Sequence, residues 1–255
     1  MISEIAVSVG RRVAGRPTAD ANAYWAARVW DREQCSEAPV LGPHYLAETM
    51  GILALIRQRV SDRELPPVRR AIDVGCGVGV FTAALLEAGV DEVVALDISP
   101  GALKRTRERV KDDSRLRTVQ ADVRQFEFAD NDRADEGSGL FDALVCVDAL
   151  HHIGDPIPSL EAMCRLVNPG GVLIGNIWTA DHFHEFQRTR HGPARHAAAS
   201  IAFCAAAFAR RFGRETNLTR TELVPADEAC EQLAARFEVL HVAESRYWVR
   251  FMVRR

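Results

Sequence analysis

The sequence predicts an α/β fold built on a doubly wound, seven-stranded, mostly parallel sheet. Three observations carry this expectation. Short apolar runs alternate with helix-period segments from Arg70 to Ile177, a glycine cluster ends the first run, and two apolar runs close the chain with no helix between them. Strand–helix alternation implies parallel strands with helices on both faces. Two adjacent strands at the end imply an antiparallel edge.

Residues 1–66 read as an N-terminal helical cap. Residues 1–40 look irregular, with an aromatic patch at Tyr24, Trp25 and Trp30. A helix is expected from His44 to Val60, because Leu46, Met50, Leu53, Ile56 and Val60 recur at three- or four-residue spacing. Pro66-Pro67 then break the chain.

The first strand is Arg70–Val74 and leads through the glycines into a helix, Val80–Ala88. A second strand, Glu92–Leu96, precedes a helix at Pro100–Val110, where Ser99 suits the N-cap and Pro100 the first turn. Arg117–Gln120 is a third, weaker strand. Phe141–Val147 is a fourth, followed by a helix at Ser159–Leu166, and Gly171–Ile177 is the fifth. A helix at Pro225–Arg236 then leads to strands Phe237–Val242 and Tyr247–Val253. Residues 67–180 and 221–255 are thus expected to form one domain, with residues 181–220 inserted as a helical lid. The insertion holds seven arginines against three acids, and its middle, Ala197–Phe212, has helical spacing.

Composition narrows the class. The 255 residues are 47% hydrophobic and 26% charged, which is ordinary globular usage. The net charge of −3 advertises no global attraction to nucleic acid. The longest nearly apolar run, Ala197–Ala209, is 13 residues, against the roughly 20 that a membrane span needs. Six cysteines without CxxC spacing fit neither a disulfide scaffold nor a zinc ribbon. The N-terminus lacks an apolar signal region. A reduced, cytoplasmic protein is the expectation.

The chemistry concentrates at Asp73-Val74-Gly75-Cys76-Gly77-Val78-Gly79. Glycines after a first strand let the backbone turn tightly and approach a ligand. Asp97 ends the next strand, 22 residues beyond Gly75, where a ribose-binding carboxylate is expected. The dinucleotide fingerprint G-x-G-x-x-G is not met, because its third glycine position is Val80. Asp73 suits a ligand with an ammonium group better than one with a pyrophosphate. The pattern therefore predicts a nucleoside site whose other end carries positive charge.

The chain resembles the class I S-adenosylmethionine-dependent methyltransferases. Four segments match in order: Asp73 to Gly79, Ala95-Leu96-Asp97-Ile98-Ser99, Phe141 to His152, and Leu166-Val167-Asn168-Pro169-Gly170-Gly171. The likeness is to small-molecule members such as the ubiquinone-biosynthesis O-methyltransferases. It implies a Rossmann-like methyltransferase fold, S-adenosyl-L-methionine as cofactor and a small-molecule acceptor. It also implies that Gly75, Cys76, Gly77 and Gly79, with Asp73 nearby, support the methionine part of the cofactor. Asp97 would accept from the ribose hydroxyls, and Ile98 would pack on the adenine. Asp122, with Val123 beside it, would accept from the adenine amino group. The backbone of Val147 and Asp148 would face the methionine end.

The acceptor must lose a proton, and histidines titrate near neutrality. His152 is the first candidate base and His151 the second, because both follow the fourth strand at the carboxyl edge. His182, His184, His191 and His196 match no standard zinc spacing, so no metal is expected. Tyr24, Trp25, Phe183, Phe186 and Arg188 are candidate acceptor contacts, with Arg190 and Arg195 also able to pair an anion. An RNA methyltransferase using the basic insertion, and a nicotinamide dehydrogenase, are the alternatives. No membrane partner is expected, nucleic acid is disfavoured, and a homodimer is compatible with the sequence.

Overall fold

A computed structural model describes residues 26–126, 140–198, 201 and 223–255. Tyr24, Trp25 and most of the predicted helix Ala197–Phe212 lie outside the described residues. The strands are β1 (Arg70–Val74), β2 (Glu92–Asp97), β3 (Leu116–Gln120), β4 (Phe141–Cys146), β5 (Val167–Trp178), β6 (Glu238–Glu244) and β7 (Trp248–Arg254). The helices are α1 (Arg32–Ser36), α2 (Gly42–Ser61), α3 (Val80–Glu87), α4 (Pro100–Val110), α5 (Leu150–Ile153), α6 (Pro156–Met163), α7 (Phe183–His191) and α8 (Ala226–Arg236).

All seven strands form one sheet in the order β3-β2-β1-β4-β5-β7-β6. β1 pairs in parallel with both β2 and β4. β7 runs antiparallel to β5 and to β6, which gives the expected antiparallel edge. The order reverses between β1 and β4, so a crevice opens beyond their carboxyl ends.

Alternation along the strands feeds two cores. Ile72, Val74, Leu144 and Leu173 pack with Leu160 of α6 and Leu233 of α8. Ala71, Ala143, Val145 and Ile174 pack with Ile52 and Ile56 of α2 and Leu85 of α3. Each fully buried Leu or Ile contributes about 1.5–3 kcal/mol from removal of apolar surface. A third, aromatic cluster gathers Tyr45, Trp178, Phe183, Phe186, Tyr247 and Trp248.

Several elements differ from the sequence expectation. α1 lies in the stretch read as irregular. It is a short helix capped by Asp31, whose carboxylate accepts from the amides of Glu33 and Gln34. β5 starts four residues early, because Val167 pairs with Phe141 before the Pro169-Gly170-Gly171 turn and the register shifts there. The largest correction is the buried face of α2. Leu46 and Met50 are 53% exposed, whereas Tyr45, Glu48, Ile52, Leu55, Ile56 and Arg59 face inward. The stripe is rotated because Glu48 reaches the core's polar centre. Gly51 lets the Arg250 guanidinium lie against the helix, where a Cβ would meet its Nη1 at 1.8 Å.

Candidate active site

A cavity of about 460 Å³ fills the crevice beyond β1 and β4. Sites for small ligands span roughly 300–1,000 Å³, so the space suits a nucleoside with a second molecule beside it. Its two ends are built differently.

At one end β1 runs into the glycine turn. Gly75, Gly77 and Gly79 take φ of 69°, 56° and 78°, a backbone that L side chains rarely adopt. A Cβ on Gly75 would meet Ala149 at 2.7 Å, and one on Gly77 would meet the Trp30 carbonyl oxygen at 3.0 Å. The space in front of this turn is therefore kept by the glycines. Gly75, Gly77, Asp97, Ile98, Asp122 and Val123 all line the cavity. Asp97 is oriented by the turn, since Gly77 N donates to its Oδ2 at 2.9 Å and Ser99 N to its Oδ1 at 2.8 Å. Burial pushes its pKa up, and those amide donors pull it back. Each carboxylate oxygen keeps a further lone pair for a ligand hydroxyl. Asp122 is ion-paired with Arg124 at 2.5 Å.

Three glycine-motif residues sit behind this surface rather than in it. Asp73, read as facing an ammonium group, is 1% exposed and accepts from Thr82 Oγ1 at 2.6 Å. The strand's alternation turns it beneath the first turn of α3, and desolvation lifts its pKa to about 7. Cys76, read as a cofactor contact, packs with Ala95 and Leu103, and burial pushes its thiol pKa well up. Gly79 serves as N-cap of α3, where a Cβ would strike Thr106 at 2.7 Å. Their roles are to shape the turn.

At the other end side chains converge from distant segments. His151 and His152 on α5 line the cavity with ring centroids 3.8 Å apart, and His151 lies 5.7 Å from the Trp178 ring. Trp178 ends β5, and Phe183 and Phe186 project from α7. Trp178 meets Phe186 edge to face at 4.5 Å. Arg188 does not line the space, because on α7 the cavity-facing positions are Phe183, Phe186, Gln187, Arg190 and His191. Trp30 and Arg28 of the N-terminal segment close the mouth.

Beneath this end lies a polar network that the sequence reading missed. Val147 and Asp148 line the cavity, and Asp148 has a left-handed φ of 56°. Asn176 Oδ1 accepts from the Asp148 amide at 2.8 Å. The Asp148 carboxylate takes hydrogen bonds from Asn176 Nδ2 and Trp178 Nε1, each at 3.1 Å, and forms a buried ion pair with Arg32. Asn176 also reaches Glu48, which pairs with Arg250 at 3.2 Å. Burial pushes the Glu48 pKa up, while Arg250 lowers it. A left-handed non-glycine residue needs such bracing, and this one sits where a ligand would lie. Two sequence signals pointed here: an asparagine within an apolar central strand, and a glutamate on an apolar helical face. Among the described residues no cluster of three His, Cys, Asp or Glu side chains forms a metal site.

The comparisons agree with this geometry. Residues 72–175 match a family model described as a methyltransferase domain. Residues 72–175 thus form a methyltransferase domain, and the nicotinamide alternative gives way. Among curated relatives it is 36% identical over 115 residues to the ubiquinone biosynthesis O-methyltransferase of Xanthomonas campestris pv. campestris, covering 45% of each chain. It is 31% identical to the protein of the same name from Xanthomonas axonopodis pv. citri, covering 61% of this chain and 58% of that one. The chain spans about half the length of the curated relatives it matches. Among solved structures, the N-methyltransferase NodS from Bradyrhizobium japonicum WM9, in complex with S-adenosyl-L-homocysteine, aligns with TM-score 0.53 at 17% identity. That alignment covers 88% of this chain and 95% of the other. Magnesium protoporphyrin IX methyltransferase from Synechocystis PCC 6803 aligns with TM-score 0.53 at 15% identity, covering 96% and 91%. At these identities the structures establish a shared fold. The cofactor of the domain class is S-adenosylmethionine, and the glycine-lined end has the space and the acceptor groups to receive it.

Proposed function

We propose that the protein transfers the methyl group of S-adenosylmethionine to an oxygen or nitrogen of a small-molecule acceptor. One observation carries this reading. The glycine turn with Asp97, and the histidine pair with its aromatic wall, share one continuous cavity. The names of the curated relatives favour oxygen as the accepting atom.

When bound, the cofactor supplies a methyl group already activated on a sulfonium centre. The chain's work is to position, to exclude water and to move one proton. Asp97 would accept from the ribose hydroxyls, Ile98 would lie against the base, and Asp122 with Val123 would border it. The braced backbone at Val147 and Asp148 would set the boundary between the two ligands. Holding the acceptor in line can contribute about 7–11 kcal/mol in favourable cases. The acceptor must give up an O–H or N–H proton as its new bond to carbon forms. His152 is the proposed base, with the His151 ring tilted against it, and the proton goes to an imidazole nitrogen. Trp178, Phe183 and Phe186 would keep that exchange dry.

The test has two parts. Titration with S-adenosylhomocysteine should give micromolar binding, which absence of any heat would refute. A metabolite extract incubated with isotope-labelled S-adenosylmethionine should then yield a labelled small molecule, identified by mass. Label appearing only in RNA would replace the acceptor class.

A further inference from the structure

The acceptor end of the cavity contains a cation that is paired with no acid among the described residues. Arg190, in the last turn of α7, lines the cavity with its guanidinium 4.7 Å from the Trp30 ring centroid and 6.0 Å from that of Phe186. Among the described residues it forms no salt bridge. The single acid of α7, Glu185, is occupied by Arg246 at 2.7 Å and lies 3.5 Å from His182. Arg124, another cavity arginine, is bound to Asp122.

The Trp30 ring beside the guanidinium carries no lone-pair acceptor, so this contact takes up none of its N–H donors in a conventional hydrogen bond. The five N–H donors lie in its plane and remain directed outward from its edge. A planar fork of this kind matches a carboxylate with two parallel hydrogen bonds, and such charge-assisted bonds are about twice as strong as neutral ones. The surroundings reinforce the preference for an anion. His191, also lining the cavity, is lowered in pKa by burial and then by Arg190 and Arg195, so this rim carries positive charge.

We propose that Arg190 is the specificity-determining residue for the acceptor, binding a carboxylate of a ring-bearing hydroxy or amino acid. The carboxylate lies on the guanidinium edge beside Trp30, the ring lies along the Trp178–Phe186 wall, and the hydroxyl or amine points toward His151 and His152. This rests on the methyltransferase reading and adds the acceptor's chemical class to it.

The test is calorimetric binding to protein saturated with S-adenosylhomocysteine and, in parallel, to protein alone. The probes are matched pairs: 4-hydroxybenzoate with 4-hydroxybenzamide, 4-hydroxycinnamate with its amide, and indole-3-acetate with its amide. At least one acid should bind tenfold or more tightly than its amide. Arg190→Gln should erase that preference and Arg190→Lys should keep part of it. Arg188→Gln, outside the cavity, should leave it intact. Equal affinity within every pair overturns the proposal, as does no binding of any acid or a preference that survives Arg190→Gln. S-adenosylhomocysteine binding to each variant reports that it is folded. Its absence in the wild type would refute the methyltransferase reading instead.

Discussion

The two ends of the cavity are made by different means. The glycine-lined end, the proposed cofactor side, is mainly backbone: a glycine turn and the amides that aim Asp97, all from residues 73–99. The other end, the proposed acceptor side, is mainly side chains, drawn from the N-terminal segment, α5, β5 and α7, with Glu48 of α2 in the network beneath. Local backbone geometry writes a motif into sequence, because only certain residues permit it. Long-range convergence writes none, because each contributing residue looks ordinary in its own segment.

The largest expected effect is at the joint between the two ends. Arg32→Ala would leave the buried Asp148 carboxylate without its cation. Losing one partner of a buried pair costs about 3–5 kcal/mol, so urea unfolding should show a large drop in midpoint, and an unchanged midpoint would remove the network from the account. Next is His152→Ala, for which kcat should fall about 100-fold, with S-adenosylhomocysteine affinity unaffected. An equal loss in affinity and turnover would make the residue structural instead.

Asp97→Ala addresses the cofactor end alone. Charge-assisted hydrogen bonds contribute about 1.5–3 kcal/mol each, so S-adenosylhomocysteine should bind roughly 30-fold more weakly or worse. Acceptor binding to the protein alone should not move. A pH-dependent effect concerns Asp73 behind the turn. The unfolded chain ionises it near 3.8 and the folded chain near 7. Folding therefore takes up a proton between those values, and this residue's contribution to stability falls as pH rises across them, then levels off above. In Asp73→Asn, whose amide oxygen can still accept from Thr82, stability measured from pH 4 to 8 should lose that decline. An identical profile in both proteins would place the group's ionisation elsewhere.

The sheet was largely legible in the sequence. Period-two apolar runs and period-3.6 helices are local properties, and all seven strands fall close to where they were expected. The helix α2 shows the limit. Its apolar residues suggested a face through Leu46 and Met50, yet the buried face runs through Tyr45, Glu48 and Arg59. The network around Asn176 and Arg250 chose that rotation, and no spacing rule within the helix contains it.

Of the residues read as site candidates, the glycines at 75 and 77, Asp97, Ile98, Asp122, Val123, Val147, Asp148, both histidines and the two phenylalanines line one cavity. Asp73, Cys76, Gly79 and Arg188 do not, because strand alternation, core packing, helix capping and helix phase direct them away. The sequence by itself determined the α/β class, the glycine turn and the acid at the end of β2, since each is a constraint between near neighbours. Only the tertiary structure decided that Trp30 and Arg190 would meet at the mouth. It alone placed Glu48, Asn176 and Arg32 around Asp148. The contacts around Asp148 join residues up to 128 positions apart, and their geometry exists only once the sheet has brought the segments together.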